Sequence, residues 1–327
     1  MTADAREITI KAYAKINLSL DVLGKRENGY HDVSMVLQSI DLHDDVTCRW
    51  SPAEEGREPV IKIKVIQDEA DEKREAVPED ERNIAYRAAA LMMERFPAVK
   101  GDTVITIRKR IPAAAGLAGG STDGAAAVLA LYDMLRCIDP AAAEKVTTAD
   151  LLEAGGKLGA DVPFQMMAQM KMNGDLGLAE GPAACTCALA EGTGTELAPV
   201  SPLDSYIVLS TPAVAVSTKE VYEGIDRMEI SERPDNEALV RALAENDETN
   251  VKKNMINVLE NYTLSVYDVV YKKKNKMRSV SGDSVVLMSG SGPTVFAAAS
   301  SSEEADEIFK IMSEEGDSCF LTRTITG

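Results

Sequence analysis

A strict two-residue period near the N-terminus places the strongest constraint on how this chain folds. Every even-numbered residue in positions 8–22 is apolar, while the odd-numbered positions include Lys11, Lys15 and Asn17. Because successive side chains of a β-strand point to opposite faces, the pattern predicts a long strand with one buried face. Taken alone, the pattern places both lysines on the solvent-facing side, where most lysine side chains lie.

A glycine-rich stretch follows about a third of the way along the chain. Residues 111–127 read Ile-Pro-Ala-Ala-Ala-Gly-Leu-Ala-Gly-Gly-Ser-Thr-Asp-Gly-Ala-Ala-Ala. A glycine loop that opens onto a helix offers converging N–H groups and the positive end of the helix dipole, which suits phosphate. The stretch matches neither the P-loop nor the dinucleotide fingerprint. On its own it therefore leaves open both a phosphate site and an ordinary turn that binds nothing.

The balance of charge narrows the range of partners. The chain has 327 residues, with 35 Lys and Arg against 53 Asp and Glu, for a net charge of −18. So acidic a chain argues against nucleic acid or an anionic membrane as a partner. At about 150 residues per domain, the length suggests two domains.

Signals for membrane insertion, export and zinc binding are not found in the sequence. No uncharged apolar run approaches the roughly 20 residues that span a bilayer, and the N-terminus lacks the layout of a signal peptide. A cytoplasmic location is therefore expected. Five cysteines without a Cys-x-x-Cys pair, together with two histidines, indicate reduced thiols and no zinc site.

The rest of the chain mixes strand and helix signals in an irregular order. Strands are predicted near residues 60–65, 104–107, 206–209, 285–288, 294–298 and 319–324. Helices are predicted after Asn83 as N-cap, over 125–135 and 150–158, after the capping-box sequence 217–220, and over 236–244, 254–271 and 306–312. This order favours an α+β fold with antiparallel sheets over a doubly wound parallel sheet.

Local signals give three further expectations. Gly159 suits the end of a helix and Pro163 should prevent its resumption, which would place Asp161 on a turn. Residues 166–196, which contain Leu-Ala-Glu-Gly twice, are expected to form a loop. The basic run at 272–276 is expected to be a solvated helix end.

Separate segments of the chain, taken together and in order, resemble the GHMP kinase superfamily. They are residues 14–17 (Ala-Lys-Ile-Asn), 29–31 (Gly-Tyr-His), 112–121, 158–163 (Leu-Gly-Ala-Asp-Val-Pro) and 288–296. The resemblance implies an α+β fold with two domains and the active site in the cleft between them. An N-terminal domain of β-sheet and helices would cover residues 1–200, and a C-terminal α/β domain would cover residues 201–327.

The resemblance also implies a reaction. The sequence is most similar to one branch of the superfamily. Enzymes of that branch use ATP to phosphorylate the 2-hydroxyl of the erythritol portion of a CDP-linked substrate, in non-mevalonate isoprenoid synthesis. Asp161 would be the base that takes the hydroxyl proton, and Lys15 would stabilise charge beside it. Another small-molecule kinase of the superfamily, of the mevalonate, phosphomevalonate or homoserine type, and a non-catalytic nucleotide-binding protein on the same fold remain alternatives.

Position by position, the resemblance implies two sets of binding residues. Those expected to contact the substrate are Asn17, Tyr30, His31, Thr218 and Tyr222. Those expected beside ATP are Asn83, Lys109, Pro112, Ala115, Gly116, Leu117, Ala118, Gly119, Gly120, Ser121 and Thr122. Mg²⁺ would bridge the phosphate oxygens.

The chain departs from the family pattern in three places. Ala118 stands where many members have glycine, and Asn28 replaces an acidic residue before Gly-Tyr-His. The family's Ala-Glu-Gly-x-Gly element matches the second Leu-Ala-Glu-Gly copy, at 190–194, better than the first, at 178–181. The segment after Asp161 is also longer than the family pattern, which affects the expected domain boundary and not the expected chemistry.

Overall fold

The computed structural model describes residues 5–54, 56–67, 76–174 and 184–327. They group into two compact units, each assembled from separate parts of the chain. The first unit comprises the described residues of 1–13, 43–113 and 118–184, and the second comprises those of 14–42, 114–117 and 185–327. Both units contain helices and strands, so the prediction of a two-domain α+β protein is confirmed. The sequence boundary after residue 200 stays a prediction.

The strands and helices are numbered in chain order. The strands are β1 (Arg6–Lys25), β2 (His31–Pro52), β3 (Ile61–Ile66), β4 (Gly101–Arg108), β5 (Cys187–Glu191), β6 (Glu196–Pro199), β7 (Tyr206–Thr211), β8 (Val285–Met288), β9 (Val295–Ala299) and β10 (Ser318–Arg323). The helices are α1 (Ile84–Arg95), α2 (Gly119–Ile138), α3 (Pro140–Ala143), α4 (Thr148–Gly156), α5 (Val162–Met172), α6 (Thr218–Ile225), α7 (Asn236–Glu245), α8 (Glu248–Asn254), α9 (Glu260–Val266), α10 (Asp268–Val280) and α11 (Ser302–Ser313), with a short 3₁₀ turn at Pro97–Val99.

In the first unit, helices pack on a sheet around one apolar core. The second half of β2 pairs antiparallel with β4, and β3 runs parallel to β4. The core includes apolar residues of α1, α2 and α5. Helix α2 can approach α1 closely because Gly124 has no side chain, since a Cβ at that position would lie 2.4 Å from Cγ2 of Ile84. The small residues of α2 thus serve close packing.

The second unit is built from antiparallel pairs, in agreement with the sequence prediction. The first half of β2 pairs with β5, and β5 pairs with β6. A separate four-stranded sheet has the order β10-β7-β9-β8, with every neighbouring pair antiparallel. The turn between β8 and β9 carries the second glycine-rich segment of the sequence.

Strand β1 confirms the long alternating pattern but corrects the expected environment of Lys15. Lys11 is exposed, as predicted. Lys15, Asn17 and Asp21 are buried, although they lie on the polar face of the strand. In the second unit, part of this face is covered by the segment before α7, because Arg233 Nη1 binds Asp21 Oδ1 at 2.5 Å. Periodicity could not show that both faces are covered.

Other corrections concern residues between 31 and 196. Strand β2, 22 residues long, was not predicted. Helix α5 begins at Val162 with Pro163 in its first turn, where the missing N–H costs no hydrogen bond, so the expectation that Pro163 stops the helix is wrong. Helix α5 and strand β5 replace much of the loop expected over 166–196. The first Leu-Ala-Glu-Gly copy, at 178–181, lies outside the described residues.

The basic run at 272–276 lies inside α10, not at a solvated helix end. Its lysines pair with carboxylates: Lys272 with Asp268 at 2.6 Å, and Lys273 with Asp317 at 2.7 Å. Lys272 is exposed and Lys273 is buried, so only part of the run is solvated.

Candidate active site

The glycine loop leads into the first turn of α2. Ala118, the residue before the helix, has a left-handed backbone with φ of +58°. The first N–H groups of an α-helix have no acceptor within the helix, so those of Gly119, Gly120 and Ser121 carry the positive end of α2. Gly119 and Ser121 are half-buried and Gly120 is exposed. This geometry is that of an anion site.

Residues 114–117 of the loop belong to the second unit, where they form hydrogen bonds with the turn after β8. The carbonyl oxygen of Gly116 accepts hydrogen bonds from Ser289 Oγ at 2.9 Å and from Lys15 Nζ at 3.2 Å. The N–H groups of Lys15 and Thr294 donate to the carbonyls of Leu117 and Ala115. Gly116 itself has φ of +78°. Strand β1, the glycine loop and the second glycine-rich turn are thus held together.

Lys15 is held by neutral oxygen atoms. Its ammonium donates to Asn17 Oδ1 at 2.8 Å as well as to the Gly116 carbonyl, and the side chain is buried. The Asn17 amide in turn contacts the Met35 sulfur at 3.4 Å. Because these partners are uncharged, the positive charge of Lys15 remains available to an anionic ligand.

Asp161 occupies the N-cap position of α5 in the first unit. Its backbone is helical, with φ of −78° and ψ of −16°, and its side chain caps no N–H group of the helix. The same turn lies near the start of α2, since a Cβ at Gly159 would be 4.0 Å from Ser121 Oγ. The structure therefore brings the Asp161 turn and the anion site together within one unit.

The predicted substrate residues of the second unit form a cluster around His31. The His31 ring lies 5.0 Å from the Tyr222 ring, centroid to centroid, and its Nε2 is 2.8 Å from Asp226 Oδ1. Lys25 binds the other oxygen of Asp226 at 3.0 Å. Burial opposes ionisation of Asp226, but the hydrogen bonds from Lys25 and His31 outweigh it and lower the pKa of that carboxyl. Asp226 was missed because no local pattern marks it.

Tyr30 and Thr218, which precede His31 and Tyr222 in the sequence, are exposed. The Tyr30 side chain is 67% exposed. Thr218, the first residue of α6, lies with its hydroxyl 3.0 Å from that of Ser291. Ser217 caps α6 as predicted, whereas the Glu220 carboxylate accepts hydrogen bonds from the hydroxyls of Tyr262 and Tyr267. These contacts fix the helix that carries Thr218 and Tyr222.

The residues predicted to contact ATP differ in what their side chains contact in the structure. Asn83 caps α1 as predicted, accepting from Ala85 N at 2.9 Å. Thr122 is buried, and its hydroxyl donates to the Tyr13 carbonyl at 2.8 Å and accepts from Gln169. Pro112, Ala115 and Leu117 are buried. Their assignment as ATP contacts stays a prediction.

Lys109 is part of an ion-pair network that the sequence did not reveal. Its ammonium lies 2.5 Å from Asp44 Oδ2 and 2.8 Å from Asp123 Oδ2, and all three side chains are buried. Burial disfavours the charged form of Lys109, but the two carboxylates outweigh it and hold its pKa above the usual value. Burial raises the pKa of Asp123 to about 7, although the Lys109 charge opposes this.

We expect Asp123 to make the stability of the protein depend on pH. The folded protein binds the Asp123 proton more tightly than the unfolded chain, so this stabilising contribution is full below about pH 4 and is lost as pH rises through about 7. Urea unfolding of Asp123→Asn at pH 5 and pH 8 should show a smaller change in unfolding free energy between the two than wild type shows. An unaltered difference would contradict the raised pKa.

The arrangement matches known proteins over both units. Models of the GHMP kinases N terminal domain and of the GHMP kinases C terminal domain match residues 83–169 and 237–318. A 4-diphosphocytidyl-2-C-methyl-D-erythritol kinase from Clostridium acetobutylicum is 38% identical, covering 97% of this chain and 100% of that protein. This chain belongs to the GHMP kinase family.

Other kinases are similar to this chain to different degrees. A protein of the same name from Acetivibrio thermocellus is 40% identical over 97% of this chain and 99% of its own. The crystal structure of a 4-(cytidine 5'-diphospho)-2C-methyl-D-erythritol kinase aligns with a TM-score of 0.73 and 26% identity, over 98% of this chain and 100% of that one. The structure of a homoserine kinase from Cytophaga hutchinsonii aligns with a TM-score of 0.66 and 18% identity, over 100% of this chain and 96% of that one. This likeness shows the fold alone. As a GHMP kinase, this chain is an ATP-dependent small-molecule kinase.

Proposed function

We propose that this GHMP kinase transfers the γ-phosphoryl group of ATP to the 2-hydroxyl of 4-diphosphocytidyl-2-C-methyl-D-erythritol, in the cytoplasm, on the route to isoprenoid precursors. The single observation that carries the chemistry is the Lys15 ammonium, bound to the Gly116 carbonyl of the glycine loop and to Asn17. The choice of substrate rests on relatives of 38% and 40% identity that carry this name.

The proposed roles follow from the needs of phosphoryl transfer, which are positioning and neutralisation of charge on the transferred group. The N–H groups at the start of α2 would hold the ATP phosphates, and Lys15 would add positive charge. Asp161, which caps no helix N–H, would accept the proton of the 2-hydroxyl. Since a carboxylate is a weak base for an alcohol, it would take the proton as the oxygen begins to bond to phosphorus.

The donor set fits Mg²⁺ that arrives with ATP. Within the described residues, no three His, Cys, Asp or Glu side chains form a ready-made metal site. Mg²⁺ keeps several water ligands and commonly binds through substrate phosphates rather than in an all-protein cage, so the phosphates held at the start of α2 would supply its other ligands. The ion would neutralise charge on the phosphate oxygens when bound.

The His31 cluster would recognise the cytosine. Asp226 engages Nε2 of His31, and the other ring nitrogen would bind the base edge. Tyr30, which is exposed, and Tyr222 would offer aromatic faces for stacking. Asn17 and Thr218 would contact the remainder of the substrate.

ADP release in a coupled assay tests the substrate. We expect turnover with the CDP-linked methylerythritol and at least about 100-fold lower kcat/KM with mevalonate or homoserine, because buried polar groups built for one substrate are left unpaired by another. Higher activity with mevalonate or homoserine would contradict the proposed substrate and leave the kinase assignment intact. Binding of ATP without turnover of any of the three would favour a nucleotide-binding protein.

A further inference from the structure

The buried network of Asp44, Lys109 and Asp123 sits where the chain enters and leaves the glycine loop. Asp44 lies on β2, Lys109 directly follows β4, and Asp123 lies in the second turn of α2. Their side chains are at most 2% exposed. The network therefore joins three elements of the first unit at one buried point.

Asp44 holds the residues that enter the loop. Its Oδ1 accepts hydrogen bonds from the backbone N–H groups of Arg110 at 2.5 Å and Ile111 at 2.9 Å. Its other oxygen binds Lys109 Nζ. One carboxylate thus fixes the backbone on the entry side and the ammonium at the same time.

Lys109 holds the residues that leave the loop. Its ammonium binds Asp123, and a Cβ placed on Gly119 would lie 3.2 Å from Nζ. The ammonium therefore lies next to Gly119, the first residue of α2. Because the ammonium forms ion pairs with two carboxylates, its charge is balanced within the protein.

Stability alone does not account for this arrangement. Replacing buried charges with apolar side chains of similar volume is often neutral or stabilising, because desolvation offsets the attraction. Among the described residues, Asp123 Oδ1 has no hydrogen-bond partner, which adds a further cost. A network that is expensive to desolvate and that binds both ends of one loop indicates a positioning role.

We propose that Asp44, Lys109 and Asp123 are positioning residues that hold the two ends of the nucleotide loop, residues 110–111 and 119–123, at a fixed separation. The proposal rests on the proposed function of this loop as the ATP site. In this proposal the Lys109 side chain holds the loop in place, and any contact of Lys109 with the nucleotide is made by its backbone.

The test separates positioning from stability by means of a triple variant. Asp44→Asn/Lys109→Met/Asp123→Leu removes every charge together, and the amide introduced at position 44 can still accept from the N–H groups of residues 110 and 111. Lys109→Met alone leaves two buried carboxylates without a cation and should be strongly destabilised. We expect the triple variant to recover most of the wild-type urea midpoint but to bind ATP about tenfold or more weakly by calorimetry, because the loop is no longer fixed.

Two further variants keep the result decisive. Asp123→Leu alone leaves Asp44 and Lys109 as a balanced pair and should also weaken ATP binding, with the KM for ATP rising more than the KM for the acceptor. Lys273→Met/Asp317→Asn removes another largely buried ion pair, between α10 and the residue before β10, and should leave ATP affinity unchanged. This pair is the matched control for loss of buried charge.

The outcomes separate the two proposals. Equal ATP affinity in the wild type, the triple variant and Asp123→Leu would overturn the positioning role alone. Failure of the wild type to bind ATP would overturn the loop's function and this inference with it. A weakened affinity in the Lys273→Met/Asp317→Asn control of the same size would show a general effect of lost ion pairs and would also overturn the inference.

Discussion

Replacing Asp161 with asparagine is expected to lower kcat about a thousandfold, because a positioned general base contributes roughly 10²- to 10⁴-fold. ATP affinity should stay nearly unchanged, since the amide keeps the size of the side chain and the carboxylate caps no backbone N–H of α5. The measurement is single-turnover ADP formation together with calorimetric ATP binding. It tests whether Asp161 acts on the acceptor hydroxyl.

A surface carboxylate of the same unit provides the control. Glu153 on α4 is 63% exposed and forms an ion pair with Lys157 of its own helix. Glu153→Gln should leave kcat unchanged and have little effect on stability, because an exposed ion pair contributes little to it. Turnover of Asp161→Asn within about threefold of wild type would remove Asp161 from the base role, because it would fall well short of the 10²-fold minimum.

Replacing Gly116 with alanine is expected to cost about 2–4 kcal/mol of unfolding free energy, by adding left-handed strain to overpacking. Gly116 has φ of +78°, and a Cβ there would lie 2.3 Å from the carbonyl oxygen of Ser289. That oxygen is backbone and cannot rotate away. The clash should also shift the carbonyl that holds Lys15, so kcat/KM should fall at least about 100-fold.

Gly120, in the same loop, gives the matched control. A Cβ at Gly120 would have Ile84 Cδ1 as its nearest neighbour, at 3.6 Å, which is an ordinary contact. Since Gly120 lies within α2, Gly120→Ala should raise stability by up to about 0.5–1 kcal/mol through helix propensity. Urea unfolding of both variants is the measurement. A similar loss of stability in both would show that the steric account of Gly116 is wrong.

Much of this site could be predicted because its signals are local. The alternation over residues 8–22 predicted β1, and the capping residues Asn83 and Ser217 predicted the starts of α1 and α6. The glycine loop before α2 was evident from composition, since a positive φ and exposed helix N–H groups need small residues. The family resemblance added roles to Lys15, Asp161 and His31 that no local pattern carries.

Other features depend on partners far away in sequence. The sequence alone determined the strands, turns and helix starts that have strong local signals, such as β1, α1 and α6, because those signals depend on neighbours within a few residues. Only the tertiary structure decided that Lys15 is buried against Gly116, that Asp226 holds His31, and that Asp44 and Asp123 enclose Lys109. The physical reason is that burial and charge pairing are set by the surfaces that come together on folding, and those surfaces are not neighbours along the chain.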